Sequence, residues 1–301
     1  MVIILDVLVT GGSGFIGSHV VDKLVEHGCA VRVFDERKPH RDDVEWFKGD
    51  LLTENDVLGA CKDMEFVYHL AAVADVNIAI SNPQLCLQVN EIGTLNLLKA
   101  ASAMEIERVV LASTTWVYGK TEGEVNENTP VPPPDHIYTK TKIGQEHLLA
   151  AYHEHTGLPY TILRYDIPYG PRMRSNLVMA IFVRKAMQKE PITVFGDGNQ
   201  GRCFIYVEDL ANGNVAASQP KARNQVINLA GTEFITVNNI VETLRESFTD
   251  LKVEHSPPRP NDFKGAIVSI QKARKLLGWE PRTKFKTGLK KYITYARSQK
   301  C

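Results

Sequence analysis

Apolar and polar residues follow one another in blocks along the first half of the chain, and the blocks predict strands and helices in turn. Short segments with apolar centres occur at 7–9, 30–34, 45–48, 66–70 and 108–112. Apolar runs of this length without a polar face are typical of buried strands in a parallel sheet. The pattern therefore predicts five strands before residue 113.

Helical patterns lie between these strands. One helix is expected from Ser18 to about residue 27, a second over 53–61 with Thr53 as its cap, and a long single helix over 83–104. The apolar face of the long helix consists of Leu85, Val89, Ile92, Leu95 and Leu98. Strands that alternate with helices predict an α/β fold, with an open parallel sheet wound on both faces.

Three glycines, Gly11, Gly14 and Gly17, follow the first strand at three-residue spacing and lead into the first helix. A side chain at these positions would block the tight turn, or would keep a phosphate from the amides at the helix N-terminus. This arrangement predicts a dinucleotide site, and a purely structural strand-to-helix turn is the alternative.

Asp35 ends the second strand, 18 residues after Gly17. A carboxylate at this place accepts hydrogen bonds from both adenosine ribose hydroxyls and repels a 2′-phosphate. The residue therefore favours NAD over NADP as the cofactor. Arg37 and Lys38 lie just beyond it and offer charges that bind a phosphate, which keeps NADP open.

Composition narrows the class of protein. The 35 basic and 35 acidic residues balance, so nothing indicates a nucleic-acid partner or an anionic membrane. No apolar run approaches the roughly 20 residues that span a bilayer, and the N-terminus lacks the features of a signal peptide. The five cysteines are scattered without a CxxC pair, so a metal site is not expected. Scattered thiols of this kind instead predict a reducing, cytoplasmic location.

A second chemical feature is the pair Tyr138 and Lys142, which stand four residues apart and therefore share one face of a helix. A nearby cation stabilises a phenolate and lowers the tyrosine pKa from about 10 toward neutrality, which makes a usable acid or base. A solvated surface pair is the alternative. Upstream, Ala71 and Ala72 follow a strand, where they either leave room for a cofactor or start a helix.

The motifs together resemble the extended short-chain dehydrogenases/reductases of the NAD-dependent nucleotide-sugar epimerase/dehydratase family, with UDP-glucose 4-epimerase as a familiar member. The matching motifs in chain order are TGGSGFIGSH, GDL, HLAA, VYG, YTKTK, LRY, YGPR, VFGDG, FIYVEDLA and RPND. The resemblance implies a Rossmann-type NAD-binding domain over 1–165, to which segments near 200–231 return. It further implies a smaller C-terminal α/β domain over 166–301 that binds the nucleotide sugar.

The resemblance also implies roles for individual residues. The pyrophosphate of NAD would lie against Gly11, Gly14, Phe15, Ile16 and Gly17, with Asp35 on the adenosine ribose. Adenine would lie beside Asp50 and Leu51, and the rest of the cofactor would be lined by Leu70, Ala71, Ala72 and Asn90. Tyr138 would be the acid/base, Lys142 would hold the nicotinamide ribose, and Thr114 would bond the reacting sugar hydroxyl.

In the second half, the resemblance implies that Asn176, Arg202 and Arg259 contact the diphosphate and that Thr193 and Phe195 contact the nucleobase. Family members with a small residue at the position of Ala266 have room for an N-acetyl group on the sugar. A homodimer is also implied, with the apolar face of the 83–104 helix and that of the helix after Tyr138 packed across a two-fold axis.

Five residues depart from the patterns of related enzymes. Asp166 and Ile167 stand in place of Phe-Asn, and Cys203 replaces an acid in the RDF motif. Asp166 would either recognise a hydroxyl or amine of the sugar or face solvent. Thr115 and Trp116 occupy positions where the related dehydratases have Asp-Glu and the related decarboxylases have a Glu at the second position.

Neither Thr115 nor Trp116 supplies the acid or base that elimination and decarboxylation require. The expected activity is therefore nucleotide-sugar 4-epimerisation through a transient 4-keto sugar, with a UDP-hexose or UDP-N-acetylhexosamine as substrate. Another oxidoreductase or dehydratase of the same family is the alternative, and a non-catalytic dinucleotide-binding regulator is a more remote one.

Overall fold

The computed structural model describes residues 5–258 and 264–299. Its strands are β1 (Asp6–Thr10), β2 (Ala30–Phe34), β3 (Glu45–Phe47), β4 (Phe66–His69), β5 (Arg108–Thr114), β6 (Gly123–Val125), β7 (Tyr160–Tyr165), β8 (Pro168–Tyr169), β9 (Ile192–Phe195), β10 (Gly201–Arg202), β11 (Ile205–Tyr206), β12 (Gln225–Leu229), β13 (Ile235–Thr236), β14 (Val253–Ser256) and β15 (Ala266–Val268). The five strands predicted from the apolar blocks correspond to β1 through β5.

The helices are α1 (Phe15–Glu26), α2 (Glu54–Cys61), α3 (Val76–Ser81), α4 (Pro83–Leu87), α5 (Gly93–Ala103), α6 (Ile137–Thr156), α7 (Val178–Met187), α8 (Val207–Ala216), α9 (Val237–Arg245), α10 (Gln271–Leu277) and α11 (Phe285–Ser298). A π-helical turn (Gln88–Ile92) joins α4 to α5, and 3₁₀ turns cover Thr115–Tyr118 and Pro220–Ala222.

Seven parallel strands form the central sheet in the order β3-β2-β1-β4-β5-β7-β12. The order reverses between β1 and β4, and ligands of doubly wound sheets bind at the carboxyl ends of the strands at such a point. The α/β, doubly wound fold class predicted from the sequence is confirmed.

Successive residues of the central strands point to opposite faces of the sheet, as the two-residue period of a strand requires. Val7 and Val9 belong to the apolar cluster on one face, with Val110 of β5. Leu8 and Leu111 belong to the cluster on the other face. Because both faces are covered, these strands read as unbroken apolar runs in the sequence.

The helix predicted over 83–104 is found as a continuous helical segment, but its regular periodicity is interrupted by a π-helical turn. The segment is built from α4, the π-helical turn and α5, and α3 precedes it. The predicted apolar face is divided, since Leu98 is buried while Leu85 and Ile92 are exposed. The extra residue of the π-turn rotates the face, so that Asn90 points inward and is fully buried.

The second half of the chain adds a third apolar cluster, formed mainly by α7, α9 and α11 around the short parallel pairs β8–β11 and β9–β14. β12, from residues 225–229, lies beside β7 in the central sheet. The assignment of 1–165 and 166–301 to two domains stays a prediction. Of the described helices, none has both the length and the apolar character that crossing a membrane requires.

Candidate active site

The glycine turn between β1 and α1 is closed so tightly that side chains would not fit. Gly11 has φ +70°, and a Cβ there would lie 2.7 Å from the backbone nitrogen of Ala71. A Cβ on Gly17 would lie 2.1 Å from the Gly11 carbonyl oxygen. Gly14 caps α1 without a side-chain hydrogen bond, so the first amides of the helix are open to a phosphate. The turn therefore fits the pyrophosphate of a dinucleotide.

Asp35 lies next to this turn at the end of β2. Its Oδ2 accepts a hydrogen bond from the Ser13 amide at 3.1 Å, and its Oδ1 accepts one from the Arg37 amide at 3.0 Å. A carboxylate offers about four acceptor positions, so two remain for the hydroxyls of a ribose. The exposed Arg37 guanidinium lies 3.7 Å from the same carboxylate.

A deep cleft runs from the glycine turn to the helix that carries the YxxxK pair. Of the predicted site residues, it is lined by Gly11, Gly14, Phe15, Ile16, Gly17, Leu70, Ala72, Tyr138 and Lys142. These residues come from the turn after β1, from α1, from the loop after β4 and from α6. The structure thus brings most of the predicted cofactor residues together on one continuous surface, and their contacts with the cofactor stay predictions.

Other predicted cofactor residues lie beside the cleft rather than along it. Asp50 Oδ1 accepts from the Leu52 amide, and the Leu51 side chain is buried against Gly93. The Ala71 amide donates to Thr10 Oγ1 at 3.2 Å. Ala71 and Ala72 precede α3 by several residues, so the alternative that they start a helix is wrong.

Asn90 is fully buried and its amide is used within the protein. Its Oδ1 accepts from the Val73 amide at 2.7 Å, and its Nδ2 donates to Thr141 Oγ1 at 2.9 Å. The side chain thereby joins the loop after β4 to α6. The direct contact of Asn90 with the cofactor stays a prediction.

A buried histidine beneath the cleft was not singled out from the sequence. Thr10 Oγ1 lies 2.7 Å from His69 Nδ1, and His69 Nε2 lies 2.9 Å from Thr94 Oγ1. Burial lowers the pKa of His69 to about 3, so the ring is neutral and links β1 to α5. The HLAA motif was the only sequence signal for this linkage.

The three predicted catalytic residues meet at the carboxyl edge of the central sheet. Thr114 ends β5, and Tyr138 and Lys142 lie in the first two turns of α6. Lys142 Nζ donates to the carbonyl oxygen of Ala112 at 2.8 Å. Thr114 Oγ1 accepts from the Trp116 amide at 3.2 Å and is also hydrogen-bonded to Tyr138.

The predicted lowering of the Tyr138 pKa is not found. Burial raises the pKa of Tyr138 to about 12, against smaller lowering effects of the Arg174 charge and the hydrogen bond with Thr114. Burial also lowers the pKa of Lys142 to about 8. Removal of both side chains from water outweighs the attraction that the i, i+4 spacing suggested.

A second cavity opens from Tyr138 on the side of the C-terminal segments, and we call it the reaction cavity. It is lined by Phe15, Asp75, Thr114, Trp116, Tyr138, Asp166, Arg174 and Asn176, among others. Asn176 Nδ2 donates to Asp75 Oδ2 at 2.5 Å, and Arg174 lies 3.8 Å from the same carboxylate. Predicted catalytic and substrate residues thus face one space.

The predicted nucleobase residues line a separate pocket that Asn176 also borders. Thr193 and Phe195 of β9 form one wall, with Lys185 of α7 beside them. Lys185 Nζ donates to Thr193 Oγ1 at 3.3 Å. An aromatic ring can stack on a base while neighbouring side chains hydrogen-bond to it, and this role of the pocket stays a prediction.

A smaller third cavity, which we call the side chamber, lies behind Trp116. Its walls include Thr115, Trp116, His136, Asp166, Arg202 and Ala266. The Trp116 ring meets the Tyr138 ring edge to face, with centroids 6.2 Å apart, so the chamber adjoins the catalytic residues. Arg259, the remaining predicted phosphate ligand, lies outside the described residues.

The described residues contain no group of three or more His, Cys, Asp or Glu side chains arranged to hold a metal ion. A parallel sheet with a glycine turn, an acid directly after the second strand and a Tyr-Lys pair at the strand ends defines a dinucleotide-dependent short-chain dehydrogenase/reductase. A sequence profile of the NAD dependent epimerase/dehydratase family matches residues 7–230. The chain belongs to this family, which confirms the family and the NAD cofactor predicted from its motifs.

Several characterised proteins are similar over nearly the whole chain. UDP-glucuronate 4-epimerase of Thermodesulfobacterium geofontis is 32% identical over 96% of this chain and 95% of that protein. UDP-glucuronic acid decarboxylase 1 of Danio rerio is 34% identical over 96% of this chain and 72% of that protein. The crystal structure of UDP-glucose 4-epimerase from Thermotoga maritima with UDP-glucose has a TM-score of 0.91 and 32% identity, covering 99% of this chain and 100% of that chain.

Proposed function

We propose that this protein is an NAD-dependent UDP-sugar 4-epimerase. The observation that carries the proposal is the set of Thr114, Tyr138 and Lys142 where the cofactor cleft meets the reaction cavity, beside Thr115 and Trp116. Relatives of nearly equal identity are named for epimerisation and for decarboxylation, so overall similarity does not choose the reaction.

The side chains at 115 and 116 favour epimerisation. Thr115 Oγ1 donates to Asp166 at 3.1 Å, and the Trp116 ring packs on Tyr138. Neither side chain has a group that titrates near neutral pH, so neither supplies the acid or base for elimination. Epimerisation needs a single acid/base at the reacting hydroxyl, and Tyr138 is suited to that role.

NAD supplies the hydride acceptor and donor when it is bound in the cleft. The Lys142 ammonium favours the phenolate form of Tyr138, and the phenolate Oη takes the proton of the sugar hydroxyl and later returns it. Thr114 orients that hydroxyl, because its own side chain is fixed by the Trp116 amide and Tyr138. Lys142, held by the Ala112 carbonyl, positions the cofactor ribose and stabilises negative charge on Tyr138.

The proposal extends to the substrate-binding residues. Asn176 and Arg202 contact the diphosphate, with Arg259 as a further predicted ligand, and Thr193 and Phe195 contact the uracil. Charge-assisted hydrogen bonds to phosphate contribute about 1.5–3 kcal/mol each, so most of the affinity comes from the nucleotide. The sugar is then free to turn while the nucleotide remains anchored.

We also propose that the protein is a cytoplasmic homodimer. Ile78 and Ile80 of α3, Leu85 of α4 and Ile92 of the π-turn form an exposed apolar strip beside α6. A second copy that covers the strip through a two-fold axis would bury all four side chains. The four cysteines in the described part of the chain are free thiols, in keeping with a reducing compartment.

Conversion of UDP-glucose to UDP-galactose, followed by NMR, tests the activity. Tyr138→Phe should lower kcat by about 10²–10⁴-fold and leave the dissociation constant of the UDP-sugar nearly unchanged. Conversion by the wild type to a product that has lost water or CO₂ would instead place the protein with the dehydratases or decarboxylases.

A further inference from the structure

Asp166 directly follows β7 and lies at the carboxyl edge of the central sheet. Asp166 is 4% exposed, so the alternative that it faces solvent is wrong. A buried carboxylate is costly unless it is hydrogen-bonded or serves a ligand. The local hydrogen bonds and the cavities around Asp166 therefore indicate what it does.

Two side-chain oxygens of Asp166 have identified donors. Thr115 Oγ1 donates to Oδ1 at 3.1 Å, and the Cys203 amide donates to Oδ2 at 3.0 Å. A backbone hydrogen bond from Ile167 adds a third. A carboxylate accepts about four hydrogen bonds, so acceptor capacity remains for one more donor. Burial raises the Asp166 pKa only to about 6, which leaves the group mostly ionised at pH 7.

Asp166 lines both the reaction cavity and the side chamber. It is therefore part of the wall where the space around Thr114 and Tyr138 continues into the chamber around Trp116 and Ala266. A sugar whose reacting hydroxyl lies at Tyr138 extends its other substituents toward this wall. Asp166 is therefore one of the polar groups that those substituents can contact.

Two arginines lie near Asp166, and each also has another partner; the charge of Arg202 favours the ionised form of Asp166 and lowers its pKa against the effect of burial. Arg174 lines the reaction cavity but not the chamber, and its guanidinium lies 3.8 Å from Asp75. Arg202 lines the chamber and donates to the Gly201 carbonyl at 2.6 Å, and its proposed ligand is the diphosphate. A negatively charged substituent on the sugar would consequently meet the Asp166 carboxylate, and the Arg202 charge would be shared among that substituent, Asp166 and the diphosphate.

We propose that Asp166 selects the sugar by charge: it accepts a hydrogen bond from a hydroxyl of a neutral hexose and repels the carboxylate of a hexuronate. The inference rests on the proposed epimerase function and narrows its substrates to UDP-sugars without an acidic group. Like charges brought together in a water-poor pocket repel strongly, whereas a hydroxyl donated to a carboxylate gives a charge-assisted hydrogen bond. Similarity alone does not make this choice, because relatives named for both sugar types match equally well.

The test compares kcat/KM for UDP-glucose and UDP-glucuronate in the wild type, in Asp166→Asn and in the control Glu124→Gln. Glu124 is an exposed carboxylate on β6, near the chamber but outside its wall. We expect the wild type to prefer UDP-glucose at least a hundredfold. Asp166→Asn should shift the ratio toward UDP-glucuronate by at least tenfold, and Glu124→Gln should leave it unchanged.

Three results would overturn the inference. The first is a wild type that epimerises UDP-glucuronate as fast as UDP-glucose, which leaves the proposed epimerase function intact and needs no variant. The second is an Asp166→Asn enzyme whose kcat/KM falls equally for both substrates and which also binds UDP more weakly in calorimetry. That result would make Asp166 a positioning residue for Arg202. The third is a wild type that converts no UDP-sugar, in which case the proposed function falls as well.

Discussion

Arg164 and Glu146 form a two-point ion pair in the protein interior. Arg164 Nε donates to Glu146 Oε1 at 3.0 Å, and Nη2 donates to Oε2 at 2.7 Å. The side chains are 7% and 9% exposed. Glu146 Oε1 also accepts from Ser113 Oγ at 2.5 Å. The pair therefore ties α6, which carries Tyr138 and Lys142, to β7 and β5.

The first prediction follows from the burial of this pair. Glu146→Gln removes the negative charge and leaves the Arg164 cation buried without compensation. Removal of one partner of a buried pair costs about 3–5 kcal/mol. We expect a loss of that size in the free energy of unfolding, measured by urea denaturation of the protein with its cofactor.

The matched control is Glu280→Gln, which breaks an exposed ion pair with Arg274. Exposed pairs contribute about 0–1 kcal/mol, so this variant should unfold at nearly the same urea concentration as the wild type. Equal losses for Glu146→Gln and Glu280→Gln would mean that the buried pair adds no stability beyond a surface pair.

A second prediction concerns the pH dependence of stability. Lys142 has a pKa near 8 in the folded protein, below its ordinary value of 10.5, because burial disfavours the charge. Between these values the unfolded chain binds more protons than the folded one, so wild-type stability rises with pH over this window. In Lys142→Met this dependence is absent.

The unfolding free energy of the wild type minus that of Lys142→Met should therefore rise by about 2 kcal/mol from pH 7 to pH 9.5. Unfolding free energies of the two proteins, measured in urea at both pH values, give this number directly. If the difference in unfolding free energy between the two proteins is the same at both pH values, Lys142 keeps its ordinary pKa when folded.

The central strands were predictable because their positions are marked by local runs of apolar residues in the sequence. Segments 30–34 and 66–70 are apolar because parallel strands are covered on both faces, and such runs are visible without tertiary information. The π-turn was not predictable from periodicity. Asn90 in this turn accepts a hydrogen bond from the Val73 amide and donates one to Thr141, and these partners lie 17 and 51 residues away in the sequence.

The candidate site was likewise predictable where its residues follow a local spacing in the sequence. Residues of the glycine turn and the Tyr-Lys pair follow local spacing, and they line one cleft. Glu146 stands four residues after Lys142, and that spacing was the available signal for its position on the same helix face. The environment of Asp166 was not readable, since its donor Cys203 is 37 residues away. The Tyr138 pKa was misjudged because burial cannot be read from an i, i+4 pair.

A third prediction concerns cofactor choice. Asp35 should make the wild type bind NAD at least tenfold more tightly than NADP, and purified protein should carry NAD. Asp35→Ser removes the charge that repels a 2′-phosphate, beside the exposed Arg37. The ratio of the two dissociation constants, measured by calorimetry after cofactor removal, should shift toward NADP by at least tenfold. The exposed Asp42→Ser should not change it.

A fourth prediction tests the proposed dimer. Ile80 is 63% exposed in the apolar strip, and a glutamate there would place a charge in the interface. We expect the wild type to be a dimer at micromolar concentration by light scattering, and Ile80→Glu to be a monomer. Val131→Glu, at an exposed apolar residue in the loop between β6 and α6, should leave the dimer intact. A monomeric wild type would refute the proposal.

The last prediction concerns the size of the side chamber. Ala266, on β15 next to β6, lies in the chamber wall with Trp116 and Asp166. A methyl side chain leaves the chamber open, whereas a tyrosine at this position would fill it. If the chamber takes the acetamido group of an N-acetylhexosamine, Ala266→Tyr should lower kcat/KM for UDP-N-acetylglucosamine at least tenfold relative to UDP-glucose.

Ile267→Tyr is the matched control, because the adjacent residue of a strand points to the opposite face and Ile267 is 50% exposed. The same ring placed there should leave the ratio of the two kcat/KM values unchanged. An unchanged ratio in Ala266→Tyr as well would show that the acetamido group lies elsewhere. A neutral acetamido group also carries an N–H donor, so acceptance of it agrees with a chamber wall in which Asp166 rejects only negative charge.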